Sequence, residues 1–357
     1  MIVRRPDYYM DFHCLGGSCP DTCCRDWSVV LDGDAMADYA DAPAPLRERI
    51  AQALATDEDG DVCFRLGDDG LCALLAPDGL CTIQRDWGEA HLCGHCAAYP
   101  RFTEEYGCLS ETALAISCPE AARLLLEAPR FALIEADDGQ DQPPFDGVDP
   151  ELLHGLEQSR AQILALLDAG EGTKGTIWEK LRIVLAYALD LQGCIDMGRY
   201  DRMASLPLPP TRCPDPSRRQ YPAVRLLELL AGSDPLRRDW PELLRERAKQ
   251  LSALSPADYI ALRAGYEQAD PRWERQLANL AGYLVFRHWH KAVNDDTLYG
   301  RAAFVCAACA ALYHLCLFQP GEEVHLWSRF SREIEHDEDE LDELIWALDR
   351  WIPFDLI

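Results

Sequence analysis

Thiols are the side chains with the most chemistry to offer in this sequence. Eleven of the sixteen cysteines lie between residues 14 and 118, and the densest group comes first: Cys14, Cys19, Cys23 and Cys24, in a stretch rich in Gly, Ser, Pro and Asp. Cys63, Cys72, Cys81, Cys93, Cys96, Cys108 and Cys118 follow, several beside Gly, Asp or Pro, where the backbone turns and side chains can converge. Three readings compete for so many thiols: a disulfide scaffold, a metal or cluster site, and small apolar groups packed in a core. The N-terminal residues lack the apolar core and small-residue cleavage site of a secretory signal, so the expected compartment is the cytoplasm and the thiols are expected to be reduced. Metal then leads disulfides. Packing explains isolated cysteines, but not the adjacent Cys23-Cys24 pair in a loop with little apolar core to join.

Cys93-Gly94-His95-Cys96 is a two-residue-spaced thiol pair, which suggests zinc or a redox dithiol. The redox reading lacks the surrounding βαβ pattern. Structural zinc usually takes two such pairs, and only one lies in this region, so an iron–sulfur cluster and zinc both stay open. The spacing Cys14-x4-Cys19-x3-Cys23 does not match the C-x3-C-x2-C of radical S-adenosylmethionine enzymes. Cys118 precedes Pro119, a favourable first residue of a helix whose amides would favour a thiolate just ahead of them.

These thiols need elements to hold them. Trp27, Val29 and Leu31 alternate and predict a short strand leaving the first cysteines; residues 34–55 read as helix, capped by Asp34 and broken near Pro43 and Pro45. Residues 62–82 read as short strands joined by Asp-Gly turns, in which Cys72 and Cys81 each follow Gly-Leu, as expected of ligands brought to one centre. Residues 135–150 form the clearest linker. Beyond it, helical periodicity runs through 150–169, 176–192, 240–254, 256–267, 271–291, 298–318 and 321–351, with a Pro-rich surface loop expected at 207–222. The expected fold is therefore mainly α: an irregular cysteine-rich metal-binding region with short strands over 1–134, a linker over 135–150, and an all-α helical domain over 151–357.

Composition narrows the function. A chain of 357 residues with 48% hydrophobic content can bury sizeable cores. The formal charge of −27 speaks against nucleic acid or an anionic membrane as partner and suits a basic or lysine-bearing one. The apolar run 302–318 falls short of the roughly 20 residues of a bilayer span and reads as a buried core helix. Cys306, Cys309 and Cys316 lie in this alanine-rich stretch and read as packing. Gly170 to Gly175 imitates a nucleotide or S-adenosylmethionine loop, with Asp190 at the distance of a ribose-binding acid, but helical periodicity before it makes Gly170 an ordinary helix end. His288 and His290 are two apart, a poor joint metal site on a helix. The acidic run from Glu333 to Glu343 reads as a solvated helix face.

The ordered motifs Phe12-x-Cys14-x4-Cys19-Pro20-Asp21-x-Cys23-Cys24-x2-Trp27, Gly70-Leu71-Cys72-Ala73-Leu74, Gly79-Leu80-Cys81, Cys96-x2-Tyr99-Pro100-Arg101 and Leu114-x2-Ser117-Cys118-Pro119-Glu120-Ala121-Ala122 resemble the flagellin lysine N-methylase family. The resemblance is strongest over residues 12–126 and continues loosely to Asn279-Leu280-Ala281-Gly282-Tyr283-Leu284. The cysteine region is also similar to zinc- or iron-chelating proteins with a C-x2-C-x2-C-C motif, from which this chain departs by longer gaps. The resemblance implies methyl transfer from S-adenosylmethionine to lysine ε-amines of flagellin by an enzyme carrying an iron–sulfur cluster, 4Fe–4S in type, with zinc the alternative metal. It implies Cys14, Cys19, Cys23, Cys24, Cys63, Cys72, Cys81, Cys96 and Cys118 as the matching thiols, with Cys93 and Cys108 as extras. Nine thiols exceed the four that one cluster needs, so some are structural or bind a second metal.

Such chemistry must deprotonate its substrate: a free lysine, with pKa ~10.4, is neutral in only about one molecule in two thousand at neutral pH. The sequence shows no Rossmann-type methyl-donor site, and the base and donor pocket are not assignable from it. The rival expectations are a non-catalytic zinc- or iron-chelating module with a helical partner-binding domain, and an electron-transfer protein.

Overall fold

The computed structural model describes the chain except for residues 58, 138, 140–146, 169–174, 211–214 and 353–355. It is mainly α-helical, with its strands in the N-terminal part. Strand β1 (Ile2–Pro6) starts the chain. Helices α1 (Gly33–Ala40) and α2 (Ala44–Ala53) follow the first cysteines, separated at Pro43. The cap of α1 is Asp32 rather than Asp34: its Oδ1 accepts from Ala35 N at 2.7 Å. The strand expected over 27–32 is reduced to one isolated bridge, Val30 to Cys63, with a second just before it, Arg25 to Leu71, because the two partners lie in separate segments. Strands β2 (Leu54–Thr56) and β3 (Val62–Phe64) pair as a short antiparallel ribbon. The short helices α3 (Thr82–Asp86) and α4 (Gly94–Ala98) complete this portion.

Strands β4 (Arg101–Tyr106) and β5 (Leu109–Leu114) form a hairpin, α5 spans Pro119–Glu127 as expected, and β6 (Leu133–Asp137) follows. The sheet order is β4-β5-β1-β6, with β1 parallel to β5 and antiparallel to β6. In the helical half, α6 (Pro150–Leu167), α7 (Ile177–Asp196), α8 (Gln220–Leu230), α9 (Asp239–Ala253) and α10 (Pro256–Ala269) precede α11 (Trp273–His288) and α12 (Ala292–Asp295). Then come α13 (Leu298–Phe318), α14 (Glu323–Ile334) and α15 (Glu338–Arg350). The expected 321–351 helix is two, and α8 begins inside the stretch expected to be loop.

Two apolar cores result. The smaller has eleven buried residues from Leu31 to Cys93. The larger joins Tyr8, Phe12 and the Tyr106–Ala128 segment to the helical half. Helix α13 is its axis: 21 residues long and apolar enough to cross a bilayer by composition, it is 94% buried over that window inside the protein. Cys306, Cys309 and Cys316 are buried along it, as packing requires. Buried charge ties the sheet to the helices: Glu111 on β5 binds the Arg160 guanidinium of α6 through both oxygens, and Arg4 approaches the same carboxylate at 3.0 Å. Half of the linker expected at 135–150 lies outside the described residues, and its first three belong to β6; the glycine loop expected at 170–175 lies outside them except for Gly175.

Candidate thiol-lined site

Where the small core meets the large one lies a cavity of about 660 Å³. Local sequence explains how thiols reach it. Gly70 and Gly79 adopt positive φ, +76° and +78°, which lets each Asp-Gly turn close tightly. Asp69 and Asp78 side chains brace these turns by accepting from Leu71 N and Leu80 N. The turns return the chain so that Leu66 bridges Cys72 and Leu75 bridges Cys81. They also seat the first cysteines. Asp26 N donates to Gly70 O at 2.9 Å, and a side chain at Gly17 would meet Asp78 O at 2.4 Å. The Cys93-x-x-Cys96 turn is held by Asp32, whose Oδ2 accepts from Gly94 N at 3.1 Å.

Six thiols line the cavity: Cys23, Cys24, Cys72, Cys81, Cys93 and Cys96. Cys93, an extra in the sequence reading, is among them and is 1% exposed. Cys14, Cys19 and Cys118 lie outside its wall. Cys14 and Cys19 sit in the first loop, Cys14 accepting from Gly16 N at 3.4 Å, and Cys118 is buried in the larger core as the cap of α5. Burial pushes the Cys118 thiol up to about 11, although the amides of Glu120 and Ala121 point at it. Cys63 is buried in β3 and does not line the cavity. All described cysteines are free thiols. In each adjacent pair one member is the more acidic: Cys24, brought to about 7 by the Cys23 S–H and the Thr22 hydroxyl, and Cys93, brought to about 6 by the Cys96 S–H. Among the described residues, no three Cys, His, Asp or Glu side chains already surround one point as metal ligands do.

The other walls are aromatic and charged. Trp27, Tyr39, Phe64, Tyr99 and Phe102 contribute rings, with Trp27 edge-on to Tyr99 at 5.5 Å between centroids. From the helical half come Arg287, Ser331, Glu335 and His336. Burial would raise the Glu335 carboxyl, but Arg287 at 3.2 Å, His288 at 3.0 Å and the Ser331 hydroxyl at 2.5 Å bring it down to about 2, so it is ionised. His288 is driven down to about 4 by burial, which keeps it neutral. His290 turns instead to Glu111, 3.4 Å away, so the two histidines serve different carboxylates.

Two arginines lock the first thiol loop onto the helical half. Arg237 binds Asp21 at 2.8 Å and also Asp26; Arg332, 1% exposed, binds Asp21 at 3.2 Å, donates to the Thr22 and Ser117 carbonyls, and lies over the Trp27 ring. Sequence reasoning missed Arg237, Arg287, Arg332 and Glu335. The one available signal was the acidic run from Glu333, read as solvated; Glu333 and Glu335 are buried, and exposure begins at His336.

No family model and no solved structure matches the chain. It is similar to the flagellar biosynthetic protein FliU of Salmonella muenchen, 26% identical over 143 residues, which is 36% of this chain and 79% of that protein. It is also similar to the lysine-N-methylases of Salmonella choleraesuis and Salmonella typhimurium, in each case 26% identical over 143 residues, 36% of this chain and 33% of the relative. The match thus spans a third of the length of these lysine-N-methylases.

Proposed function

We propose that this chain is a cytoplasmic protein-lysine N-methyltransferase that moves a methyl group from S-adenosylmethionine to lysine ε-amines of flagellin, with an iron–sulfur cluster held by its N-terminal thiols. The distant likeness to lysine-N-methylases and a flagellar biosynthetic protein supports a methyltransferase, and the ordered cysteine motifs resemble the same family. The observation that carries the reading is the cavity, which joins thiols, five aromatic rings and an ionised buried carboxylate in a volume suited to a small-molecule donor and one side chain.

In the transfer, the neutral amine's lone pair attacks the sulfonium methyl, the C–S bond breaks onto sulfur, and the surplus proton of the methylated amine passes to water. Sulfonium and ammonium groups are both cations that aromatic faces attract, and Tyr99 offers such a face, whereas Trp27 and Phe102 each already carry a guanidinium, of Arg332 and Arg287, on one side. Glu335 adds negative charge at the wall. With its oxygens engaged by Arg287, His288 and Ser331, it holds a cation rather than takes its proton. Cys14, Cys19, Cys23 and Cys118 would hold the cluster: they are four free thiols, the number one cubane takes, and they lie near enough for Cys118 to feel Cys14 and Cys19 and for Cys23 to feel Cys14 and Cys118. Bound there, the cluster would supply a redox-active centre. The −27 charge suits a lysine-bearing partner.

The test is incubation of anaerobically purified protein with flagellin and isotopically labelled S-adenosylmethionine, followed by peptide mass spectrometry. Labelled methyl groups on flagellin lysines are expected. Bound metal with neither methyl transfer nor S-adenosylmethionine binding would contradict the reading and favour a chelating module with a helical partner-binding half.

A further inference from the structure

We infer that the N-terminal thiols form two separate metal centres, the second of which, Cys72, Cys81, Cys93 and Cys96, holds a tetrahedral zinc-type cation as a structural staple. The division follows the two cores. Cys93 belongs to the smaller core, and Cys72, Cys81 and Cys96 pack against it; Cys118 belongs to the larger. The four thiols of the inferred centre all line the cavity, whereas Cys14, Cys19 and Cys118 do not. Cys23 and Cys24 lie where the sets meet.

The backbone fixes these four thiols on short, braced turns. Cys72 and Cys81 leave equivalent Asp-Gly turns, and Cys72 N donates to Cys24 O at 3.0 Å. Cys93 and Cys96 flank one turn clamped by Asp32 to the start of α1. One two-residue-spaced pair joined by two turn-borne thiols is the ligand count and all-sulfur type of a closed structural zinc site. Soft thiolates select zinc or iron–sulfur over magnesium or calcium, and the nearby Asp32 carboxylate is already occupied by Ala35 N and Gly94 N.

The small core also needs a staple. It has eleven buried apolar residues, and among the described residues its one ribbon pairs strands of three residues. Cores of that size are seldom stable without a disulfide, metal or partner, and the thiols here are free. The four side chains do not surround a common point, so the cation closes the set by side-chain rotation on fixed turns as each thiol releases its proton to water.

This centre stands independently of the methyl-transfer reading. The test is metal and acid-labile sulfide analysis of the anaerobically purified full chain and of two double variants. Cys81→Ser with Cys96→Ser is expected to lose stoichiometric zinc and keep iron and sulfide; Cys14→Ser with Cys19→Ser is expected to do the reverse. Zinc retained in the first variant, or both metals lost together in both, would overturn the inference. Should the first variant fail to fold, zinc-edge X-ray absorption of the unmutated chain decides: four sulfurs at about 2.3 Å support the centre, and nitrogen or oxygen in the shell, or no zinc, overturns it. Zinc without iron would keep this centre and remove the cluster.

Discussion

Asn279 and Gly282 lie in a segment whose sequence looks functional, and their contacts are structural. The Asn279 amide donates to the Leu125 and Ala128 carbonyls at 3.2 and 2.8 Å, satisfying the end of α5. A side chain at Gly282 would meet Phe131 at 3.0 Å. Asn279→Ala is expected to cost about 1–3 kcal/mol by orphaning buried carbonyls, measured by denaturant unfolding, with a loss under half a kcal/mol contradicting the assignment. His314 gives a pH dependence. Its Nδ1–H donates to Ala310 O at 2.6 Å and its Nε2 accepts from Tyr259 at 2.9 Å, and burial holds it at about 3, so the folded state keeps it neutral while the unfolded chain protonates it below about 6.5. Its contribution is complete above that value and falls as pH drops toward 3, by on the order of 1 kcal/mol per pH unit. His314→Gln should flatten the stability profile between pH 6.5 and 4; an unchanged slope would contradict this. Cys63, Cys72 and Cys81 show what a residue pattern can carry. They are equally spaced in sequence, but only the latter two leave equivalent turns and reach the cavity.

At the scale of elements, the helices were legible because their apolar period and caps are local. Leu298–Phe318 and Pro119–Glu127 fall close to where the sequence put them, as does the start of α7, which the structure shows closed by a Thr176–Glu179 capping box. The four-stranded sheet was not legible. β1 and β6 read Ile-Val-Arg-Arg-Pro and Leu-Ile-Glu-Ala-Asp, polar segments whose pairing partners lie more than a hundred residues away. Nor was α8, whose single proline, Pro222, sits in its first turn and is tolerated there. The Asp-Gly turns were legible as turns, but not as the surface that seats the first cysteines. Gly79→Ala tests that role. Its φ of +78° and the 3.1 Å approach of its added carbon to Gly17 Cα predict strain in both the turn and the loop above it. Metal retained in full, with unchanged stability, would show that the turn does not seat the loop.

Across the whole molecule, the site exists only because the thiol-bearing part and the helical half are locked together. Arg237 and Arg332 do this through Asp21 and Asp26, and a chain of strong negative charge commits one buried and one partly buried guanidinium to the purpose. Five of the six cavity thiols belong to the nine singled out in the sequence, whose types and spacing are local; Cys93 was read as an extra, and Cys14, Cys19, Cys63 and Cys118 lie off the cavity. The arginines and Glu335 were not legible, since each acts on residues far away in the chain. Arg332→Ala should therefore cost about 1–3 kcal/mol by leaving the Thr22 and Ser117 carbonyls without their donor and the buried Asp21 with Arg237 alone, and should loosen the cavity with it. The central claim is that this cavity takes the methyl donor. Calorimetric titration of S-adenosylmethionine into the anaerobically purified chain tests it, beside an Ala115→Phe variant that fills the cavity from its lining. Saturable binding is expected in the unmutated chain, weakened about tenfold or more in the variant at unchanged circular dichroism. No binding, or equal affinity in both, would contradict it.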